Sequence, residues 1–241
     1  IQPIMVDVSA TQNQGYPDDP AMEAAQAFAK HLSEAGITVD GEPSRAAASG
    51  GARELASVSS APLSDILALS LKTSDNTMTE VEGRLVAVHA KQSADFAGAS
   101  KAVIAQLGKD GFDTSGLTLL DASGLAKGNK VPARLLAQIL AKAAGGEGGS
   151  AGRTLIADLP VAALDGTLTN RLHDTTAAGT VRAKTGSLER TSSLAGVVTT
   201  ADGRLLAFSI LANDFPANGG GAAAAVIDSR FVAPLASCGC S

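Results

Sequence analysis

The feature that most constrains the fold of this chain is a series of three short apolar segments towards its C-terminus, GTVRAKTG, SSLAGVVTT and RLLAFSILAN. Each alternates polar and apolar residues, or is continuously apolar, over a length typical of a β-strand. Asp202 and Gly203 lie between the second and third segments and indicate a tight hairpin turn. The sequence therefore predicts three neighbouring antiparallel strands, of which the last two form a hairpin.

Helices are predicted before and after this sheet. In DPAMEAAQAFAKHLSEAGI, Asp19 is suited to cap a helix that begins at Pro20 and that Gly36 ends. Helical periodicity also marks residues 63–72 and the segments MTEVEGRLVAVHAK, DFAGASKAVIAQLGKDG, PARLLAQILAKAAG and GAAAAVIDSRFVAPLA. Additional strands are predicted for IQPIMVDV, for ELASVSS and at the start of LTLLDASGLAKGNKV. Central helices with a terminal antiparallel sheet predict an α+β fold.

Composition excludes several classes of function. The chain has 241 residues, 45% of them hydrophobic, so it can bury the core of one large domain or two small ones. Its net charge is −5, which argues against nucleic acid or an anionic membrane as the main partner. No apolar run approaches the roughly 18 residues that a membrane-spanning helix needs.

The two ends of the chain carry separate expectations. The first residues contain no signal peptide and no initiator Met, which indicates a mature or cleaved piece of a protein. Cys238 and Cys240 are the only cysteines, and no second Cys or His pair lies near them, so no metal site is predicted. They form either a disulfide, which would fit an oxidising compartment, or a tail with free thiols.

Two short polar motifs are the candidates for chemistry. Ser74-Asp75-Asn76 lies at a break between helical segments, and Lys184-Thr185-Gly186-Ser187 lies in the first strand of the predicted sheet. Considered alone, the first is an ordinary helix cap and Lys184 an edge-strand charge. Together with a Ser-x-x-Lys motif, however, this pair is typical of serine penicillin-binding proteins and class A β-lactamases.

Longer blocks extend the resemblance. APLSDILALSLKTSDNTMTE, LLDASGLAKGNKVPARLLAQIL and LPVAALDGTLTNRLHDTTAAGTVRAKTGSLERTSSLAGVVTTADG resemble, in order, the D-alanyl-D-alanine carboxypeptidases of peptidase family S13, the class C low-molecular-mass penicillin-binding proteins. The likeness runs from about Asp19 to Asp214. It implies the C-terminal part of a β-lactamase-like transpeptidase fold, in which a cleft separates an antiparallel sheet from a helical subdomain. Residues 19–241 would belong to this DD-peptidase domain, and residues 1–18 would return from an inserted upstream region.

The resemblance also implies a reaction. A serine would attack the carbonyl between two D-alanines of a muropeptide and form an acyl-enzyme that water hydrolyses, while β-lactams would mimic the substrate. Ser74 would relay a proton between the motif lysine and the leaving amine. Lys184 would place positive charge nearby, and Asn76 would hydrogen-bond the acyl-side amide of the substrate. The reaction needs no metal and no cofactor.

The substrate contacts on the sheet side follow from the same resemblance. Lys184, with the hydroxyls of Thr185 and Ser187, would receive the terminal carboxylate of the peptide. Gly186 would let the strand approach the substrate closely, and the backbone N–H of Ser187 would form half of the oxyanion hole. By contrast, Asp75, the Asp121–Leu125 loop and the Asp165–Leu168 segment are interpreted as structural, and Arg182 and Arg190 as solvated charges.

The chain departs from the family pattern in one respect, because no Ser is followed three positions later by Lys. The nucleophile is therefore expected on an upstream segment or on a companion chain. Two alternatives stay open, a non-catalytic muropeptide-binding module without a nucleophile and a β-lactamase. Endopeptidase activity could accompany carboxypeptidase activity, and the place of action would be extracytoplasmic, where cell-wall peptides are.

Overall fold

The structure of this protein, a computed structural model, describes Met5, residues 17–47 and residues 49–239. The chain divides into two units, Ile1–Ala61 and Pro62–Ser241, and both candidate motifs belong to the second. The boundary predicted after residue 18 stays a prediction. Apart from Met5, the strand predicted for IQPIMVDV lies outside the described residues, and so does Cys240.

The first unit contains one helix among its described residues, α1 (Pro20–Glu34), which begins as the sequence predicted. The Asp19 carboxylate accepts a hydrogen bond from the Met22 backbone N–H at 3.2 Å and so caps the helix. The strand predicted for ELASVSS is wrong. Leu55 and Val58 are 84% and 97% exposed, and no strand among the described residues lies beside the segment to complete its hydrogen bonds.

Helices form the first part of the second unit: α2 (Leu63–Thr73), α3 (Asn76–His89), α4 (Phe96–Lys109), α5 (Ala133–Ala144) and α6 (Gly149–Asp158). The first four confirm the predicted helices, but α6 was not predicted because its glycines weaken the helical signal. Those glycines have a packing role. A β-carbon on Gly152 would lie 2.9 Å from Cα of Ala143, so α6 depends on a glycine there to pack against α5.

The predicted antiparallel sheet is confirmed. Strands β1 (Val181–Leu188), β2 (Thr191–Thr199) and β3 (Leu205–Asn213) pair in the order β1-β2-β3. A helical segment closes the unit as predicted, with α7 (Gly220–Val226), a π-helical stretch (Ile227–Val232) and α8 (Ala233–Ser237). The hydrophobic core joins this segment to the sheet through buried side chains that include Val181, Leu194, Val198, Phe208, Ile227 and Val232.

The strand predicted at the start of LTLLDASGLAKGNKV is also wrong. Only one isolated bridge forms there, between Thr118 and Lys130, and a loop follows. The buried Asp121 carboxylate organises this loop by accepting hydrogen bonds from the N–H groups of Gly124 and Ala126 and from the Asn129 amide. These local bonds replace the ladder of a strand.

No helix in the part of the chain that the structure describes is both long enough and apolar enough to cross a membrane.

Candidate active site

The Ser74-Asp75-Asn76 motif forms the sharp turn between α2 and α3. Ser74 ends α2 with φ 58° and ψ 44°, a left-handed conformation that costs a non-glycine residue on the order of 1 kcal/mol. The buried carboxylate of Asp75 accepts a hydrogen bond from the Met78 N–H at 2.8 Å and caps α3. Asp75 therefore holds the turn, in agreement with its structural interpretation, and Asn76 begins the next helix.

Lys184 extends from β1 to this turn. Its Nζ donates a hydrogen bond to Ser74 Oγ at 2.6 Å and another to the Thr185 carbonyl at 3.0 Å. Burial lowers the pKa of the Lys184 amine, because removal from water disfavours the charged form. Two residues that are 110 positions apart in the sequence thus bring a partly buried amine into contact with a hydroxyl.

The rest of the second motif follows Lys184 along β1. Thr185 Oγ1 donates a hydrogen bond to Thr167 Oγ1 at 2.9 Å. Gly186 pairs with Ser193 of β2, and a β-carbon on Gly186 would collide with the Ser193 hydroxyl. Ser187 is exposed. The close packing of Gly186 against Ser193 is thus a structural reason for glycine at this position. The close approach to substrate predicted for Gly186 would be a second reason.

A second lysine, Lys72, holds the end of α2 just before the Ser74 turn, and the sequence analysis did not identify it as a candidate site residue. Lys72 Nζ donates to Asp165 Oδ2 and to the Leu159 carbonyl, both at 2.7 Å. The other oxygen of Asp165 accepts from the Val161 N–H at 2.7 Å. Burial acts to raise the pKa of Asp165, but the bonds from Lys72 and Val161 outweigh it and lower the pKa. The only signal in the sequence was the position of Lys72, two residues before Ser74.

Arg182 in β1 and Arg190 just after it form hydrogen bonds with backbone carbonyls, in addition to the exposure to solvent that the sequence predicted. Arg182 donates to the Ala157 carbonyl at 3.0 Å, and Arg190 donates to the carbonyls of Asp214 and Phe215 at 3.2 and 3.1 Å. All three bonds lie at the surface, so the arginines keep much of the exposure predicted for them. Arg182 thus connects β1 to the last turn of α6, and Arg190 binds the backbone that follows β3.

The arrangement favours proton transfer at a hydroxyl. The described residues include no group of three His, Cys, Asp or Glu side chains that could hold a metal ion. Ser74 can accept a hydrogen bond from Lys184 and still direct its own proton elsewhere, because a hydroxyl both donates and accepts. Thr185 and Ser187, which follow Lys184 on β1, supply two further hydroxyl groups to the second motif.

Comparison with known proteins identifies the family. The profile of the "D-Ala-D-Ala carboxypeptidase 3 (S13) family" matches residues 7–231. The carboxypeptidase DacB of Mycolicibacterium smegmatis is 40% identical over 225 residues, which cover 92% of this chain and 47% of the relative. A carboxypeptidase of Mycobacterium tuberculosis is 38% identical over an alignment 251 residues long, which covers 100% of this chain and 52% of the relative. The chain thus spans about half the length of these relatives.

A solved structure supports the same assignment. Penicillin binding protein 4 (dacB) from Haemophilus influenzae, in its complex with a β-lactam, superimposes with a TM-score of 0.75 at 31% identity. The match covers 83% of this chain and 46% of that protein. This likeness confirms the predicted α+β fold of the penicillin-binding proteins. With the profile match and the two relatives, it establishes that the chain belongs to the D-Ala-D-Ala carboxypeptidase S13 family.

Proposed function

We propose that this chain supplies one part of the active site of a serine-type D-Ala-D-Ala carboxypeptidase that acts on peptidoglycan peptides and is inhibited by β-lactams. The observation that carries the proposal is the 2.6 Å hydrogen bond from Lys184 Nζ to Ser74 Oγ. It joins the two motifs of a penicillin-binding protein in one place. The family relationship supplies the reaction class, acyl transfer through a serine ester.

Ser74 acts as a proton relay in this proposal. Its oxygen accepts a hydrogen bond from Lys184, so its own hydrogen is available to the leaving amine of the terminal D-alanine. The lysine of a Ser-x-x-Lys motif would first take the proton of the attacking serine and pass it to Ser74. Burial lowers the pKa of Lys184, which eases the movement of protons through this pair.

The residues around the relay bind the substrate. The terminal carboxylate of the peptide lies against Lys184 and the hydroxyls of Thr185 and Ser187 on β1. The Ser187 N–H contributes to the oxyanion hole, and Asn76 hydrogen-bonds the acyl-side amide. Gly186 leaves the strand surface open to the peptide.

The attacking serine comes from outside these 241 residues, which contain no Ser-x-x-Lys. An upstream segment or a companion chain supplies it in this proposal. The same missing motif favours a second candidate function, a non-catalytic module that binds muropeptides through Lys184, Thr185 and Ser187 of β1. In either case the ligands are D-Ala-D-Ala peptides of the cell wall, and the protein acts outside the cytoplasmic membrane.

Labelling with a fluorescent penicillin tests the proposal. The chain would be incubated with the probe alone and together with the upstream segment, followed by denaturing electrophoresis. We expect covalent label only when a Ser-x-x-Lys segment is present. Absence of label from the complete protein would refute the peptidase, whereas label on this chain alone would refute the placement of the nucleophile. Non-covalent retention of a D-Ala-D-Ala peptide without acylation would favour the binding module.

A further inference from the structure

A short turn before β1, formed by Asp165, Gly166 and Thr167, contacts both walls of the candidate cleft. One wall is α2, which leads into Ser74, and the other is β1, which carries Lys184. The first contact is ionic. Asp165 Oδ2 accepts the Lys72 ammonium at 2.7 Å, and Lys72 lies two residues before Ser74 on α2. The pair is partly buried, with side-chain exposures of 25% for Lys72 and 41% for Asp165, so solvent screens it only in part.

Gly166 provides the second contact and explains why the turn lies so close to α2. Its φ is +56°, and a β-carbon there would lie 2.7 Å from the Lys72 carbonyl oxygen and 3.2 Å from the Pro160 ring. A larger residue would push the turn away from the end of α2. The backbone of the turn therefore packs directly on the backbone that leads into Ser74.

Thr167 provides the third contact, on the opposite wall. Its hydroxyl accepts the hydrogen bond from Thr185 Oγ1 at 2.9 Å, one residue after Lys184 on β1. Backbone bonds strengthen the attachment, because the Ala183 N–H donates to the Pro160 carbonyl at 2.9 Å just before the turn. Three consecutive residues thus link the element that carries Ser74 to the strand that carries Lys184.

We propose that Asp165-Gly166-Thr167, hereafter the bridging turn, is a positioning device that sets the separation of Ser74 from Lys184 and orients the Thr185 hydroxyl towards substrate. This inference rests on the proposed peptidase function. It gives the turn a role in catalysis that the structural interpretation of Asp165–Leu168 did not include.

The orientation of Thr185 follows from hydroxyl chemistry. In the structure, Thr185 donates to Thr167. When a carboxylate binds, the pair can reverse, so that Thr167 donates to Thr185 and the Thr185 proton turns to the carboxylate. In the reversed arrangement, the hydrogen bond from Thr167 holds the Thr185 oxygen in place while the Thr185 proton binds the carboxylate.

The turn contributes differently to the two walls, which predicts two kinetic effects. Loss of the Thr167 hydroxyl weakens binding of the terminal carboxylate and raises KM about fivefold, the effect of one neutral hydrogen bond. Loss of the Lys72 ammonium lets Ser74 shift relative to Lys184 and lowers kcat about tenfold, because proton transfer depends steeply on geometry.

The experiment uses the complete protein, with its nucleophile segment, and a D-Ala-D-Ala peptide substrate. Thr167→Val should raise KM with kcat nearly unchanged, and Thr167→Ser should restore KM. Lys72→Met should lower kcat. The loss of kcat/KM in the double variant should be smaller than the product of the losses in the two single variants, because both substitutions act through one turn.

Thr180→Val is the matched control. Thr180 also donates a hydroxyl hydrogen bond of 2.9 Å, to the Thr176 carbonyl, but it lies outside the bridging turn. It should leave KM and kcat unchanged even if it lowers the melting temperature as much as Thr167→Val. Wild-type kinetics for Thr167→Val and Lys72→Met, or equal losses for Thr180→Val, would overturn the inference. Lack of acylation of the wild-type protein would instead refute the proposed function. If Thr167→Val does not fold, Thr167→Ala gives the same test.

Discussion

At the scale of single residues, Lys184 shows how burial changes the protonation equilibrium of an amine that contacts a hydroxyl. An amine that is held away from water loses part of the free energy that keeps it protonated, and burial accordingly lowers the pKa of Lys184. A serine hydroxyl at 2.6 Å is then in contact with a group that can share a proton with it. Neither residue type would react with a peptide by itself at neutral pH.

We predict that Lys184→Ala lowers the rate of penicillin acylation of the complete protein about 100-fold, a typical loss when a group that assists proton transfer is removed. The measurement is the initial rate of labelling with a fluorescent penicillin. Lys101→Ala, which changes an exposed lysine of α4, should label like the wild type. Near-normal labelling of Lys184→Ala would remove Lys184 from the site.

Glu82 is a second ionisable residue in an unusual environment. It lies on α3, and one of its carboxylate oxygens is buried without a hydrogen-bond partner among the described residues. Burial raises the pKa of Glu82 above its ordinary value of 4.5, and the Asp75 charge adds to this effect, while a hydrogen bond with Ser70 opposes it. The folded protein therefore holds the Glu82 proton up to a higher pH than the unfolded chain does.

This shift predicts a pH dependence of stability. Below pH 4.5 the carboxyl is protonated in both states, and its contribution is fully present. As the pH rises through the raised pKa, the folded state must accept a poorly solvated charge and loses stability. Glu82→Gln should therefore melt at a higher temperature than the wild type at pH 8, by an amount that shrinks towards pH 4.5. Thermal unfolding across this pH range provides the measurement, and exposed Glu147→Gln is the control. A difference that does not change with pH would contradict the assignment.

At the scale of elements, the two carboxylates that begin α3 and α4 make a matched pair. Asp75 accepts the Met78 N–H at 2.8 Å, and Asp95 accepts the Gly98 N–H at 2.7 Å, so both cap a helix in the same way. Only Asp75 also follows Ser74 directly. The same type of cap thus holds the turn that contains Ser74 in one case and begins a helix without a candidate site residue in the other.

We predict that Asp75→Ala lowers the free energy of unfolding by about 1 kcal/mol and also slows acylation of the complete protein about tenfold. The turn that holds Ser74 loses its anchor in this variant. Asp95→Ala should lower the melting temperature as well but leave acylation unchanged. Denaturant unfolding and penicillin labelling of both variants would separate the two effects. Equal acylation rates would show that the turn keeps its shape without the Asp75 cap.

The elements that sequence reasoning found are those with local signals. A cap such as Asp19, or the Asp202-Gly203 turn, fixes an element within a few residues. The elements that it missed or wrongly predicted depend on distant partners. Helix α6 was missed and forms where Gly152 fits against Ala143, whereas ELASVSS resembles a strand but has no pairing strand in the described part of the chain. The same limit applies to the site. Lys72 and Asp165 are 93 positions apart, and no local pattern in the sequence indicates that they form an ion pair.

At the scale of the whole molecule, the chain separates into units of different character. All candidate site residues and the described strands belong to Pro62–Ser241. In Ile1–Ala61, the described residues after α1 form neither helix nor strand. Residues 51–61 are all exposed, and Arg53 lies among them. Exposed backbone without regular hydrogen bonding is the preferred target of proteases.

Limited proteolysis should therefore cut this chain first after Arg53. At a low ratio of trypsin to protein, we expect early cleavage there, while lysines and arginines that are held in ion pairs, such as Arg84 and Arg171, are protected. Mass spectrometry of the resistant fragment would locate the cut, and Arg53→Gln should delay it. The fragment should keep a cooperative thermal transition, because the hydrophobic core that joins the sheet to the C-terminal helices lies within residues 162–236. Early cleavage within β1 or α3 would show instead that the cleft walls open more readily than the segment before α2.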